Sequence, residues 1–155
     1  MPPDRPGFEL PLLLAGAFRA IVDALHAELA RQGHPHARPI HGFALQALGA
    51  EGQTISALAR RLGVTKQAAA KTVAGLERLG YVRRVRDPVD GRAIRVLCTP
   101  RGEELLTLSA LAFERLRLEW VDAIGAARLS RLEDDLERLV KPAGIKLGDL
   151  PGWLR

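Results

Sequence analysis

Apolar residues recur at three- and four-residue spacing from Leu10 to about Arg31 (Leu14, Phe18, Ile21, Val22, Leu25, Leu29), which predicts an amphipathic helix with Pro11 in its first turn. Gln32-Gly33-His34-Pro35-His36 ends it. A second helix is predicted from about Pro39 to Leu48, closed by Gly49. Thr54 then caps a third, with Ile55, Leu58, Ala59 and Leu62 apolar and Gly63 as its stop. Thr65 caps a fourth that runs to Leu79 and stops at Gly80. Two helices joined by a glycine-containing turn of about three residues form a helix-turn-helix.

After Gly80 the period changes from helical to alternating. Residues 81–86 and 93–98 read as two short strands around the turn cluster Asp87-Pro88-Val89-Asp90-Gly91, a hairpin with an arginine-rich tip. Thr99-Pro100 supplies a cap and a favoured first residue for a long helix, with Glu103 and Glu104 at its positive end. Leu105, Leu108, Ala112, Leu116, Trp120, Val121 and Ile124 carry it to about Ile124, where Gly125 interrupts. A last amphipathic helix follows (Leu129, Leu132, Leu136, Leu139, Val140), and the tail after Pro142 is expected to be irregular. No internal repeat is visible.

The length of 155 residues, 47% hydrophobic and 26% charged, fits one compact domain or two small ones sharing a core. A single cysteine excludes an internal disulfide framework. Asp4 and Glu9 precede the N-terminal apolar patch and Arg19 and Asp23 follow it, so no signal peptide or membrane span is read and a cytoplasmic protein is expected. The net charge of +5 is unevenly placed. Between Arg60 and Arg101 eleven basic residues face three acidic ones, giving +8, so the rest of the chain sums to −3. A basic segment within a mildly acidic protein is the footprint of a polyanion-binding surface, because neutralised phosphates release counterions.

Helix-turn-helix plus basic hairpin makes a winged helix-turn-helix, in a fold that is mainly α with a small β-hairpin wing and a helical dimerisation region. The second helix of the pair fits a major groove and offers its N-terminal turns to base edges. Val64, Ala69, Val73, Leu76 and Leu79 are its candidate core face. The opposite face carries Thr65, Lys66, Gln67, Ala68, Ala70, Lys71 and Thr72. Gln67 suits an adenine edge, the lysines suit phosphate or guanine, and the alanines permit close approach; with few polar base contacts, part of the specificity falls to DNA shape. In the wing, Arg92 is placed to enter a narrow minor groove, with Asp90 or Asp87 to hold its guanidinium and Arg84 and Arg86 beside it.

The run TISALARRLGVTKQAAAKTVAGLERLGYVRRVRDPVDGRAIRVLCTPRGEELL resembles the reading head of the MarR family of bacterial transcriptional regulators, from the first helix of the pair through Asp87, Asp90 and Arg92 to Thr99. With the flanking helices the resemblance covers about residues 10–141. It implies a homodimer whose first and last two helices interlock, two heads on a palindromic operator in double-stranded DNA, and release by a small-molecule effector. Residues 1–38 would then be the N-terminal dimerisation helix, 39–99 the winged head, and 100–155 the C-terminal dimerisation helices and tail. The terminal helices also carry more leucine than so small a head covers, which independently favours dimerisation over a solitary bundle. Cys98 departs from the family, which usually has leucine before this threonine, and reads as a small buried hydrophobe beside Ile94 and Val96.

His34, His36 and His41 invite a metal-sensor reading, but they fall in a loop and a helix cap with no cysteine nearby, and no metal or cofactor is assigned. Cys98 lies far from the N-terminal helices, where the family's peroxide-sensing cysteine sits. Phe18, Val22, His26, His41, Phe43 and Trp120 form a candidate effector pocket between dimer and head. No nucleophile elbow, phosphate-binding glycine loop or metal-ligand spacing points to an enzyme. The alternatives are a winged-helix protein-interaction module and a metal-responsive regulator.

Overall fold

The structure, a computed structural model, describes residues 5–140; the tail expected to be irregular lies outside the described residues. Six helices and three strands follow in the order α1 (Glu9–Arg31), α2 (Pro39–Leu48), β1 (Gln53–Thr54), α3 (Ile55–Leu62), α4 (Lys66–Arg78), β2 (Val82–Arg86), β3 (Ile94–Cys98), α5 (Pro100–Ile124) and α6 (Ala126–Val140). The three threonines read as caps do that work. Thr54 Oγ1 accepts from Ala57 N at 3.2 Å, Thr65 Oγ1 from Ala68 N at 3.1 Å, and Thr99 Oγ1 from Gly102 N at 3.2 Å. Gly63 ends α3 in the left-handed conformation, φ +65°, which only glycine adopts without strain.

The strands form an antiparallel sheet in the order β1-β3-β2, with Val82 opposite Cys98 and Arg86 opposite Ile94. β1 is an element the sequence pattern did not show. Its two residues pair with Val96 and Arg95, and Gly52 before it has φ +67° and lies against the Val96 carbonyl and Leu97, where a side chain would collide. Each hairpin strand begins one residue later than predicted, because the Tyr81 amide donates to Leu76 O at 2.9 Å and the Ala93 amide to Asp90 O at 3.0 Å. The first bond finishes the end of α4 and the second closes the wing turn.

One core joins the head to its flanking helices. Leu45 and Leu48 of α2, Leu58 and Leu62 of α3, Val73 and Leu76 of α4, and Val96 of β3 pack with Leu25 and Leu29 of α1 and Leu105 and Ala112 of α5. Each large aliphatic side chain so buried contributes on the order of 1.5–3 kcal/mol. The outer helices bury much less. Leu10, Leu12 and Leu13 of α1, Leu111 and Leu118 of α5, and Leu139 of α6 are more than half exposed, and Leu129 is the buried residue of α6. Polar ties hold these helices together: Arg115 to Glu28 across α5 and α1 at 2.7 Å, and both oxygens of Glu133 on Arg117 across α6 and α5. Helix α1 is also long and apolar enough to cross a bilayer, with mean hydropathy 1.5 over its most apolar window, although no span was read from the sequence. Arg19 and Asp23, paired at 3.4 Å within it, and its packing on α5 are features of a helix that packs on protein.

The ends of α1, α4 and the sheet meet the start of α5 at Tyr81, which is 1% exposed. Its hydroxyl is hydrogen-bonded to His34 Nδ1 at 2.9 Å, its carbonyl accepts from Thr99 N at 3.0 Å, and the Arg101 guanidinium lies 5.3 Å from the ring centre. Arg101 also donates to Leu79 O and Gly33 O, and Thr99 Oγ1 donates to Gly80 O at 2.6 Å. A side chain at Gly102 would collide with the Tyr81 carbonyl and the Cys98 sulfur. Gly102→Ala should therefore cost about 2 kcal/mol, seen as a melting temperature about 4–8 °C lower; an unchanged melt would show that the joint is looser than described.

Candidate nucleic-acid interface

Helix α4 presents two faces because its apolar residues fall at helical spacing. Ala69, Val73 and Leu76 are wholly buried, and Val64 and Leu79 pack at the edge of the core, as the sequence reading expected. On the other side Thr65, Lys66, Gln67, Ala68 and Lys71 are exposed, while Ala70 and Thr72 are half-buried. Thr72 Oγ1 is turned back onto Ala68 O at 3.1 Å. Lys66, Gln67 and Lys71 make no side-chain hydrogen bond or ion pair among the described residues, so their polar ends are available to a partner.

The wing is built around Asp87. Its Oδ1 accepts from Val89 N at 2.8 Å and from Asp90 N at 3.1 Å, and its Oδ2 pairs with Arg95 Nη1 at 3.1 Å. Those two backbone bonds, then Arg95, hold the carboxyl below its usual pKa. Arg95 Nη2 donates to Gly52 O at 3.0 Å and so fastens the wing to the segment before β1. Asp90 Oδ1 accepts from the backbone N–H of Arg92 at 3.1 Å. The carboxylates therefore shape the turn and do not hold the Arg92 guanidinium, which the sequence reading had assigned to them; it projects exposed and unpaired among the described residues. Arg86 is exposed with one bond to Gly91 O at 3.4 Å. Arg84, read from the sequence as a DNA-contacting residue, is exposed and pairs with Glu77 at 3.1 Å, a contact between β2 and α4. Exposed pairs of this kind contribute only about 0–1 kcal/mol, so the guanidinium is readily released to another partner.

The residues proposed as an effector pocket are spread over three helices: Phe18, Val22 and His26 on α1, His41 and Phe43 on α2, and Trp120 on α5. Of these, His41 lines a groove of about 890 Å³ between the start of α2 and α4, bordered by Arg38, Ile40, Ala68, Lys71, Gly75 and Arg78 among others. Val22 is buried core, Phe18, His26 and Trp120 are half-buried, and Phe43 is exposed. Sequence reasoning missed the groove because its walls lie thirty residues apart and its floor is made by small side chains on a helix valued for its charges.

The histidines do different jobs. His34 lies in the loop between α1 and α2, as read from the sequence, and its side chain is buried against Tyr81, with Glu104 Oε2 3.4 Å from its Nε2. His41 Nδ1 accepts from Arg38 N at 3.1 Å at the start of α2. Among the described residues no group of three His, Cys, Asp or Glu is arranged to hold a metal ion. Cys98 is half-buried, and burial, then the nearby Glu103 carboxylate, pushes its thiol pKa up, away from the reactive thiolate.

A helix-turn-helix whose second helix bares a basic face beside an arginine-rich β-wing defines a winged-helix DNA-binding protein. The MarR family model matches residues 38–93, from the start of α2 into the wing. The HTH-type transcriptional regulator Mb0904 of Mycobacterium bovis is 38% identical over 107 residues, 68% of this chain and 71% of that protein. The chain belongs to the MarR family of transcriptional regulators. Two solved structures share the fold: FabT of Streptococcus pneumoniae in complex with DNA (TM-score 0.71, 19% identity, 84% of this chain and 92% of that one), and CouR of Rhodococcus jostii RHA1 bound to p-coumaroyl-CoA (TM-score 0.63, 21% identity, 88% and 94%).

Burial first, then the charge of Arg38 and His26, lowers the His41 pKa to about 4. The folded protein thus binds fewer protons here than the unfolded chain between about pH 4 and the ordinary histidine value near 6.5. Stability from this site is complete above about pH 6.5 and is lost as pH falls toward 4, at up to roughly 1 kcal/mol per pH unit. Thermal melts from pH 7.5 to 4.5 should show this decline reduced in His41→Gln; identical slopes would remove the assignment.

Proposed function

We propose that the protein acts as a homodimeric, sequence-specific transcriptional regulator, a ligand-responsive repressor in the cytoplasm that binds a palindromic operator in double-stranded DNA. Helix α4 enters the major groove, with Thr65, Lys66, Gln67, Ala68, Ala70, Lys71 and Thr72 toward base edges and phosphates, and Arg92 enters the neighbouring minor groove. The observation that carries this reading is the unpaired basic face that continues from α4 onto the wing, where Lys66, Lys71, Arg83, Arg86 and Arg92 are all exposed. A surface serving only stability has no need of cations left without carboxylates, whereas a duplex supplies phosphates at that density.

The exposed leucines of α1, α5 and α6 support dimerisation, since large apolar side chains left bare along three helices are what an interface covers. Residues 1–38 and 100–155 form the platform and 39–99 the head in this reading. Two-fold symmetry then matches a palindrome whose half-sites lie about 34–36 Å apart. The relatives solved with DNA and with an acyl-CoA are consistent with an operator-binding protein that answers to a small molecule.

Fluorescence anisotropy with duplex from the flanking intergenic region tests the reading. Affinity should exceed that for random duplex by at least about 10³-fold and fall steeply with salt. Arg92→Ala should weaken binding about tenfold and reduce the salt slope by about 1. Equal affinity for random duplex would overturn sequence-specific recognition, and unchanged binding without Arg92 would overturn the minor-groove contact.

A further inference from the structure

Three carboxylates stand among the eleven cations between Arg60 and Arg101, and two of them build the wing turn. Asp87 accepts from the amides of Val89 and Asp90, and Asp90 accepts from the amide of Arg92. Glu77 is different. It lies in the last turn of α4, the end of a helix at which the dipole disfavours a carboxylate. Among the described residues its side chain hydrogen-bonds to Arg84 alone, at 3.1 Å. The Glu77 side chain is 44% exposed and that of Arg84 39%, so water screens the pair and it adds little to the fold. A carboxylate that serves neither its helix nor the turn thus occupies one cation of the proposed DNA-binding face. Arg84 shares its face of β2 with Arg86, two residues and about 6–7 Å further toward the wing tip. Arginines so spaced can follow one phosphodiester strand, whose charges repeat about every 3.4 Å along the axis.

We propose that Glu77 is an affinity brake: in the free protein it holds the Arg84 guanidinium, and a duplex must take Arg84 from it to gain one more phosphate contact. The proposal rests on the DNA-binding reading above. Glu77 acts through Arg84 and needs no contact with DNA of its own. The exchange replaces one exposed ion pair by another, so Arg84 contributes less to the complex than an arginine without a carboxylate, such as Arg86. The carboxylate left behind draws a cation from solution, which offsets the counterion that the phosphate releases. The complex is thereby weaker and less salt-dependent than the cations of the face would make it, and it stays readily reversible.

A double-mutant cycle over Glu77→Gln and Arg84→Gln in the full chain tests the brake, read by anisotropy on the flanking intergenic duplex and on random duplex. Glu77→Gln should tighten binding about threefold or more and steepen the salt slope by about 1. Arg84→Gln should weaken binding, and adding Glu77→Gln to it should change the affinity by less than about 1.5-fold. Melting temperatures of all three variants should stay within about 2 °C of the parent, and a larger fall in Glu77→Gln would make the pair structural and overturn the proposal. Unchanged binding in Glu77→Gln overturns the brake. A gain that persists in the Arg84→Gln background also overturns it, because repulsion between Glu77 and DNA would then be the cause. Weaker binding in Glu77→Gln does the same, since the pair would then be a support for the wing. The cycle is readable on either duplex. Equal affinity for both overturns sequence-specific recognition and leaves the brake to be judged, whereas no binding to either overturns both.

Discussion

The Tyr81 side chain is buried where four elements end or begin, and each is fastened to it or to its neighbours by a separate bond. His34 from the loop after α1 meets its hydroxyl, the Leu76 carbonyl of α4 accepts from its amide, the Thr99 amide before α5 donates to its carbonyl, and Arg101 covers the ring. Buried polar groups left without partners cost about 1–3 kcal/mol each, so the elements cannot shift independently without breaking several of these bonds. The basic face of α4 consequently has a fixed direction relative to α1 and α5, the helices that carry the exposed leucines. In the proposed dimer, a reading head turned at random on its platform would not present two copies to one duplex in register, whereas a head locked through Tyr81 would.

Much of this was legible from residue order. Threonine caps, glycine stops and the change of period after Gly80 placed the helices and strands to within a residue or two, because these signals act locally. The buried face of α4 was legible for the same reason, as was its basic opposite face. The parts that escaped depend on residues far apart in sequence. β1 is two residues whose partners lie more than forty positions away, and it forms because Gly52 permits close approach to β3. The burial of the loop residue His34 escaped because nothing near it in the chain announces Tyr81, its partner 47 residues on. Arg84 and Arg92 were indistinguishable as charges; only the fold pairs the first with Glu77 and leaves the guanidinium of the second without an ion pair among the described residues.

Charge pairing also separates structural from functional arginine here. Arg95 and Arg101 are spent on backbone carbonyls and on one aspartate and one aromatic ring, and they tie the wing and the central joint. Lys66 and Lys71 of α4 and Arg83, Arg86 and Arg92 of the wing form no ion pair among the described residues and are all exposed. In the proposed reading, function resides in what the fold leaves unsatisfied: bare cations toward phosphate, and bare leucines toward a second copy of the chain.

In the proposed dimer, rigid joints set two such heads on one platform at the spacing of a DNA turn. A hydroxyl-radical footprint on the flanking intergenic duplex measures that spacing directly, because the radical cuts from the minor groove where Arg92 is proposed to lie. Two protected patches centred about 10 base pairs apart, symmetric about a palindrome, are the predicted result. A single patch, or protection without a two-fold centre, would contradict it.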